Sequence, residues 1–150
     1  MKKLLKSAKK GHVQAQISLA ARLATGENCD QNLKKAYFWY KKAAYYGNSD
    51  AIYNLALMTL FGEGVKKNQD KAMKLLLRAT ENGSADACIL LGEAYEFSKL
   101  NLEIDYTKAA NFYLKAMKLG MSNGIRNIAS MLEENKITLS SFIHISKTFY

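Results

Sequence analysis

The sequence predicts an all-α fold, a right-handed superhelical α/α solenoid of about four helix-pair repeats and about nine helices. Three observations predict it. The chain repeats itself every 36 residues: aligned on Ala15 and Ala51, residues 15–50 and 51–86 agree without a gap at 11 positions. Small and apolar residues recur at helical spacing, with Ala15, Leu19, Ala20 and Leu23 falling on one face. Glycine and Asn or Asp punctuate each unit where helices end and begin.

The 150 residues are read as one domain: a half unit over 1–14, repeats over 15–50, 51–86 and 87–123, and a partial repeat with a cap over 124–150. In each unit a first helix spans about 15–25 and is stopped by Gly26 or its counterpart Gly62. The second helix starts after a capping side chain, Asn32, Asn68 or Asp105. Gly47, Gly83 and Gly120 stand where a helix end needs a left-handed residue. Asp50 and Asp86 are expected to cap the helices that follow. The third unit has Ser98 and Leu100 in place of the loop glycines, so its turn is expected to differ. Alanine at fixed positions lets paired helices approach closely. A terminal helix over about 138–148, with Phe142, Ile143, Ile145, Phe149 and Tyr150, would cap the stack or leave an apolar end that forms a homodimer.

Composition excludes several functions. Hydrophobic residues make up 49% and charged residues 23%, enough for a real core. Two cysteines, Cys29 and Cys88, cannot build a disulfide scaffold and have no zinc-site spacing. No apolar run approaches the roughly 20 residues of a membrane span. The start, Met1 to Lys6, begins like a signal n-region, but Lys9, Lys10 and His12 break the apolar segment that should follow. A cytoplasmic setting is expected. The two histidines, His12 and His144, stand at opposite ends. Gly62-Glu63-Gly64-Val65-Lys66-Lys67 lacks the strand and the motif of a phosphate loop. No set of side chains fills the roles a reaction needs, so no catalytic residue, metal or cofactor is expected.

Two surfaces are candidates. The first is a stripe on the first helices, expected to line a concave groove: Asn54, Leu57 and Phe61 in one unit, Leu90, Glu93 and Phe97 in the next. An apolar patch with a polar rim suits a protein partner. Packing between neighbouring repeats is the competing explanation for the same residues. The second is a two-row basic stripe, Lys35, Lys71 and Lys108 beside Lys6, Lys42, Arg78 and Lys115. With a net charge of +9 it would suit nucleic acid or another anionic surface. A solubilising outer face is the reading favoured for these columns. Tyr37, Trp39 and Tyr40 fit helix-packing columns better than a base-stacking platform.

These columns resemble the Sel-one-like repeat, a relative of the tetratricopeptide repeat. The unit from Ala51 to Asp86 carries the pattern most fully, through Leu55, Ala56, Gly62, Gly64, Val65, Lys71, Ala72, Arg78, Ala79 and Gly83. The resemblance spans residues 1–134. It implies protein–protein interaction without catalysis: an adaptor, or a bacterial immunity protein that neutralises a toxin or effector by occluding it.

Overall fold

Alanine does most to set this fold. At the positions where helices cross, Ala20, Ala36, Ala43, Ala51, Ala56, Ala72, Ala79, Ala87, Ala109 and Ala116 are all completely buried. A methyl group there lets two backbones come close. A longer side chain would wedge the axes apart. The leucines of the same periodic face, Leu19, Leu55 and Leu91, fill the remaining space and are at most 5% exposed.

The computed structural model describes residues 1–148. Among them are nine helices and no strand: α1 (Lys2–Lys9), α2 (Val13–Thr25), α3 (Leu33–Tyr45), α4 (Ser49–Phe61), α5 (Gln69–Glu81), α6 (Ala85–Glu96), α7 (Tyr106–Lys118), α8 (Ser122–Glu133) and α9 (Leu139–Lys147). The fold is all-α and built of helix pairs. Phe149 and Tyr150, named above as part of the cap, lie outside the described residues.

Two compact units divide the helices. One spans Met1–Asn82 and holds α1 to α5; the other begins at Gly83 and holds α6 to α9. In the first, each helix packs on the next in sequence. Its core includes Leu19, Trp39, Tyr40, Ile52, Leu55 and Met58. In the second, α7 is central and packs on α6, α8 and α9. Its core gathers Tyr113, Leu114, Ile128, Met131, Ile137 and Ile145.

The helix boundaries follow from local chemistry. Asn32, Asn68 and Asp105 each accept a hydrogen bond from the backbone N–H three residues on, at 3.0, 2.8 and 2.9 Å. Gly47, Gly83 and Gly120 take φ values of 78°, 86° and 87°. The expected caps Asp50 and Asp86 are corrected. The N-caps are Asn48 and Ser84, which accept from the N–H groups of Ala51 and Ala87. Asp50 and Asp86 instead lie in the first turn, where a carboxylate still favours the positive helix end. The third turn does differ: Ser98, Leu100 and Asn101 adopt left-handed φ near 55° without a glycine.

The α4–α5 turn shows why one glycine is needed. Gly64 has φ +70°, and a Cβ there would meet the Leu33 carbonyl oxygen at 2.3 Å. This bare backbone lets the turn lie against the start of α3.

One cap also carries a pH signature. The N–H of Lys108, above all, holds the Asp105 carboxyl below its usual range, and the Lys108 ammonium adds to this at 3.2 Å. A lowered native pKa means that the carboxylate stabilises the fold above its unfolded value of about 3.9 and loses that contribution as pH falls through the native value. Asp105→Ala should cost about 1 kcal/mol at neutral pH. Asp105→Asn should keep most of the cap but flatten the acid side of the stability profile. Urea midpoints at neutral and acid pH would check both.

Candidate interaction surfaces

A helical-repeat protein binds with the residues that its packing leaves exposed, so the first question is what the core does not use. In the first unit, α4 leaves Asn54 and Leu57 half-buried, while Phe61, at its end, is 65% exposed. In the second unit, α6 leaves Leu90 and Glu93 half-buried, and Phe97 just beyond it is 52% exposed. Phe61 and Phe97 are 36 positions apart and occupy the same repeat column. A phenylalanine that folding leaves half or more in water at the same place in two units has no role in the core of either. The flanking chemistry differs. Around Phe61 the column is neutral. Around Phe97 it is charged: Glu93 pairs with Lys99 at 3.2 Å, and the Lys99 and Lys136 ammoniums lie 5.3 and 4.8 Å from the Phe97 ring centre.

That charge comes from a cluster that the repeat pattern did not disclose. Glu96 is 4% exposed. It accepts a hydrogen bond from the Tyr113 hydroxyl at 2.6 Å and one from Lys136 Nζ at 2.8 Å. Lys136 also pairs with Glu134 at 2.7 Å, and Ser130 donates to Glu134 at 2.7 Å. Burial first, and then Glu96, push the Tyr113 hydroxyl far above its ordinary range. The bonds to Glu134 and Glu96 raise Lys136 in turn. These groups are satisfied by one another. The signal that would have found the cluster is Glu96 itself. It stands in a column filled by Ala24 and Leu60 in the earlier units.

The basic residues are largely occupied by their own fold. Lys71 donates to the Tyr37 hydroxyl at 3.1 Å, and Arg78 Nη2 donates to the Ala44 carbonyl at 2.8 Å. Each reaches back 34 residues and ties α5 to α3. Lys42 lies 4.9 Å from the Phe38 ring centre, and Lys108 pairs with Asp105. Lys115 is half-buried, whereas Lys6 and Lys35 are exposed. Trp39 and Tyr40 are buried and Tyr37 is half-buried, which is packing rather than a stacking platform.

His12 and His144 are exposed. Cys88 is buried, and its thiol is pushed up to about 11 by that burial, against a smaller downward pull from Lys115. Among the described residues no group of three or more His, Cys, Asp or Glu could hold a metal ion. Among the same residues no helix is long and apolar enough to cross a membrane. At the C-terminal end Ile145 is buried and Phe142 half-buried, while Leu139 and Ile143 remain exposed.

Comparison with known proteins agrees with this architecture. The chain is 31% identical over 139 residues to chitin synthase regulatory factor 4 of Schizosaccharomyces pombe, covering 91% of this chain and 21% of that protein. It is 29% identical over 128 residues to the ERAD-associated E3 ubiquitin-protein ligase component HRD3B of Arabidopsis thaliana, covering 77% and 21%. The chain thus spans about a fifth of the length of these curated relatives. Among solved structures, a Sel1 repeat protein from Oxalobacter formigenes superimposes with a TM-score of 0.79 at 32% identity, over 86% of this chain and 37% of that one. The protective antigen c5321 of uropathogenic Escherichia coli, which has an SLR fold, gives 0.77 at 30% identity, over 88% and 28%. The family model of the Sel1 repeat matches residues 13–48, 49–84 and 85–121, each start falling at the first residues of α2, α4 and α6. With three consecutive repeats covering most of its length, the chain belongs to the Sel1 repeat family.

Proposed function

We infer that this chain is a non-enzymatic protein-interaction module, acting as an adaptor or as an inhibitor that occludes its target. The observation that carries this reading is the repeated exposed phenylalanine: Phe61 ends a first helix, with the half-buried Leu57 four residues before it, and Phe97 stands at the same column just beyond the next repeat's first helix, with Glu93 four residues before it. A rigid aromatic ring with few rotatable bonds makes an efficient anchor for a partner. The family supports the same reading: the curated relatives are named as a regulatory factor and a ligase component. A bacterial, cytoplasmic immunity protein that covers a toxin is the narrower form of this proposal. Occlusion requires no chemistry of its own.

The basic columns are the basis of the competing reading, a solenoid that binds nucleic acid. Lys71, Arg78 and Lys108 are already engaged within the fold, which leaves fewer cations to track a phosphate backbone. Multi-phosphate binding should weaken steeply with salt, whereas groove binding should change little. The immobilised chain should retain one protein from its source lysate at high salt and after nuclease treatment. Recovery of nucleic acid, lost with nuclease and with rising salt, would contradict the proposal.

A further inference from the structure

The net charge of +9 belongs to one unit. Residues 1–82 hold 15 Lys or Arg against 6 Asp or Glu, while residues 83–150 hold 7 of each. The imbalance is steepest at the start, where residues 1–26 hold five lysines, one arginine and no acidic residue. Helical spacing gathers these charges onto one side. On α1, Lys2, Leu5, Lys6 and Lys9 follow i, i+3, i+4, i+7 and are all exposed, whereas Ala8 is buried and α1 packs on α2. On α3, Phe38, Lys41, Lys42 and Tyr45 repeat that spacing and are all exposed, whereas Ala36, Trp39, Tyr40 and Ala43 fill the core.

The two rows are neighbours. Lys9 and Lys10, at the end of α1, share one groove with Lys42, Tyr45 and Tyr46 of the second row. Among the described residues no carboxylate pairs with any of these lysines. The rings are as bare as the charges: Tyr45 is 81%, Tyr46 63% and Phe38 50% exposed. The face stops at α5, where Glu81 stands in the Tyr45 column and Arg78 is spent on the Ala44 carbonyl. A surface built only for solubility intersperses charges of both signs and keeps large rings out of water. This face does neither.

Residue type separates the candidate partners. Every cation on the face is a lysine. Fixed carboxylates and phosphates are met best by the planar fork of arginine, and lysine is depleted in protein interfaces. A nucleic-acid strand needs aromatic faces on which successive bases can stack. The Tyr45 and Tyr46 rings instead stand edge to face, at 88° to one another. A lipid bilayer demands no such fixed geometry. Its mobile anionic headgroups gather around flexible ammoniums, and each lysine near the surface adds to the attraction. Tyrosine, apolar in its body and polar at its tip, settles at headgroup depth. We propose that the exposed face of α1 and α3 docks on an anionic lipid bilayer, with its lysines among the headgroups and Phe38, Tyr45 and Tyr46 at their base. The attachment is to the surface only, since among the described residues no helix is long and apolar enough to cross.

The test is co-sedimentation of the full chain with vesicles of phosphatidylcholine alone and of phosphatidylcholine mixed with phosphatidylglycerol. The chain should sediment with the mixed vesicles and not with the neutral ones, and added salt should weaken the binding. Lys6→Gln with Lys41→Gln should weaken it roughly twentyfold. Lys66→Gln with Lys67→Gln removes the same charge from exposed positions of the α4–α5 turn, off the face, and should weaken it less than about threefold. Tyr45→Ser should weaken it about fivefold without lowering the melting temperature, because that ring is bare in the free chain. Equal sedimentation with neutral vesicles, none with the mixed ones, or equal losses in the two double-lysine variants would overturn the proposal. Retention by a single-stranded oligonucleotide or by polyglutamate, under salt that releases the mixed vesicles, would overturn it too and assign the face to nucleic acid or to an acidic protein. Phe61 and Phe97 take no part in this face, so the proposal and the protein-binding reading fail separately.

Discussion

Gly92→Ala should destabilise the protein by about 2–3 kcal/mol, the cost of overpacking a closed core. The sign makes this result informative. In an ordinary helix interior the same change stabilises by about 0.5–1 kcal/mol, because alanine is the better helix former. Gly92 lies within α6, and a Cβ built on it would come 2.4 Å from Cε1 and 2.6 Å from Cδ1 of Tyr113. The ring cannot move away. Tyr113 is completely buried, and its hydroxyl is fixed to Glu96 at 2.6 Å. Across the same residue, a Cβ on Gly124 would meet the Tyr113 carbonyl oxygen at 2.4 Å. Tyr113 is thus held between one glycine that admits its ring and another that admits its backbone. A urea midpoint that falls would confirm the fit; one that rises would show that the ring adapts.

Lys136→Met should cost about 3 kcal/mol, because it strips the buried Glu96 carboxylate of its counter-charge. Adding Glu96→Gln should recover the larger part, since a neutral amide oxygen still accepts from the Tyr113 hydroxyl. The non-additivity of the pair is the diagnostic quantity. The pH dependence follows from the raised pKa of Lys136. Its native value lies above the unfolded one, so its contribution is complete below the ordinary lysine value of about 10.4 and disappears only as pH rises through the native value. Wild type and Lys136→Met should therefore differ in stability by the same amount across neutral pH and converge in strong alkali. Denaturant titrations of the four variants would measure both effects.

Much of the fold was legible because repetition turns single residues into columns. Ala36, Ala72 and Ala109 say little alone; at one position in three units they mark a helix crossing. The caps Asn32, Asn68 and Asp105 were legible for the same reason. Asp50 and Asp86 were misread because Asp and Asn both cap well. Nothing in composition decides between Asn48 and Asp50, two residues apart. Only the hydrogen bond from Ala51 to Asn48 decides it.

The site residues were legible to a different degree. Exposure of Phe61 and Phe97 depends on where a helix ends, and a shift of one residue exchanges buried for exposed. Arg78 reads as surface charge in the sequence, yet its partner is a main-chain carbonyl, which no residue type reveals. Lys136 lies outside every repeat column. Its role depends on a connection between α8 and α9 that only the fold brings to Glu96.

Whether the exposed Phe61 and Phe97 bind a protein partner is decided by changing both and measuring two quantities on the same sample. Phe61→Ala with Phe97→Ala should leave the melting temperature within about 2 °C of wild type, as exposed substitutions generally do. Affinity for the captured partner, measured by calorimetry, should fall at least about tenfold, as loss of an aromatic anchor implies. Unchanged affinity, or a clear loss of stability in the unbound chain, would contradict the account: the phenylalanines would then belong to the fold and not to the interface.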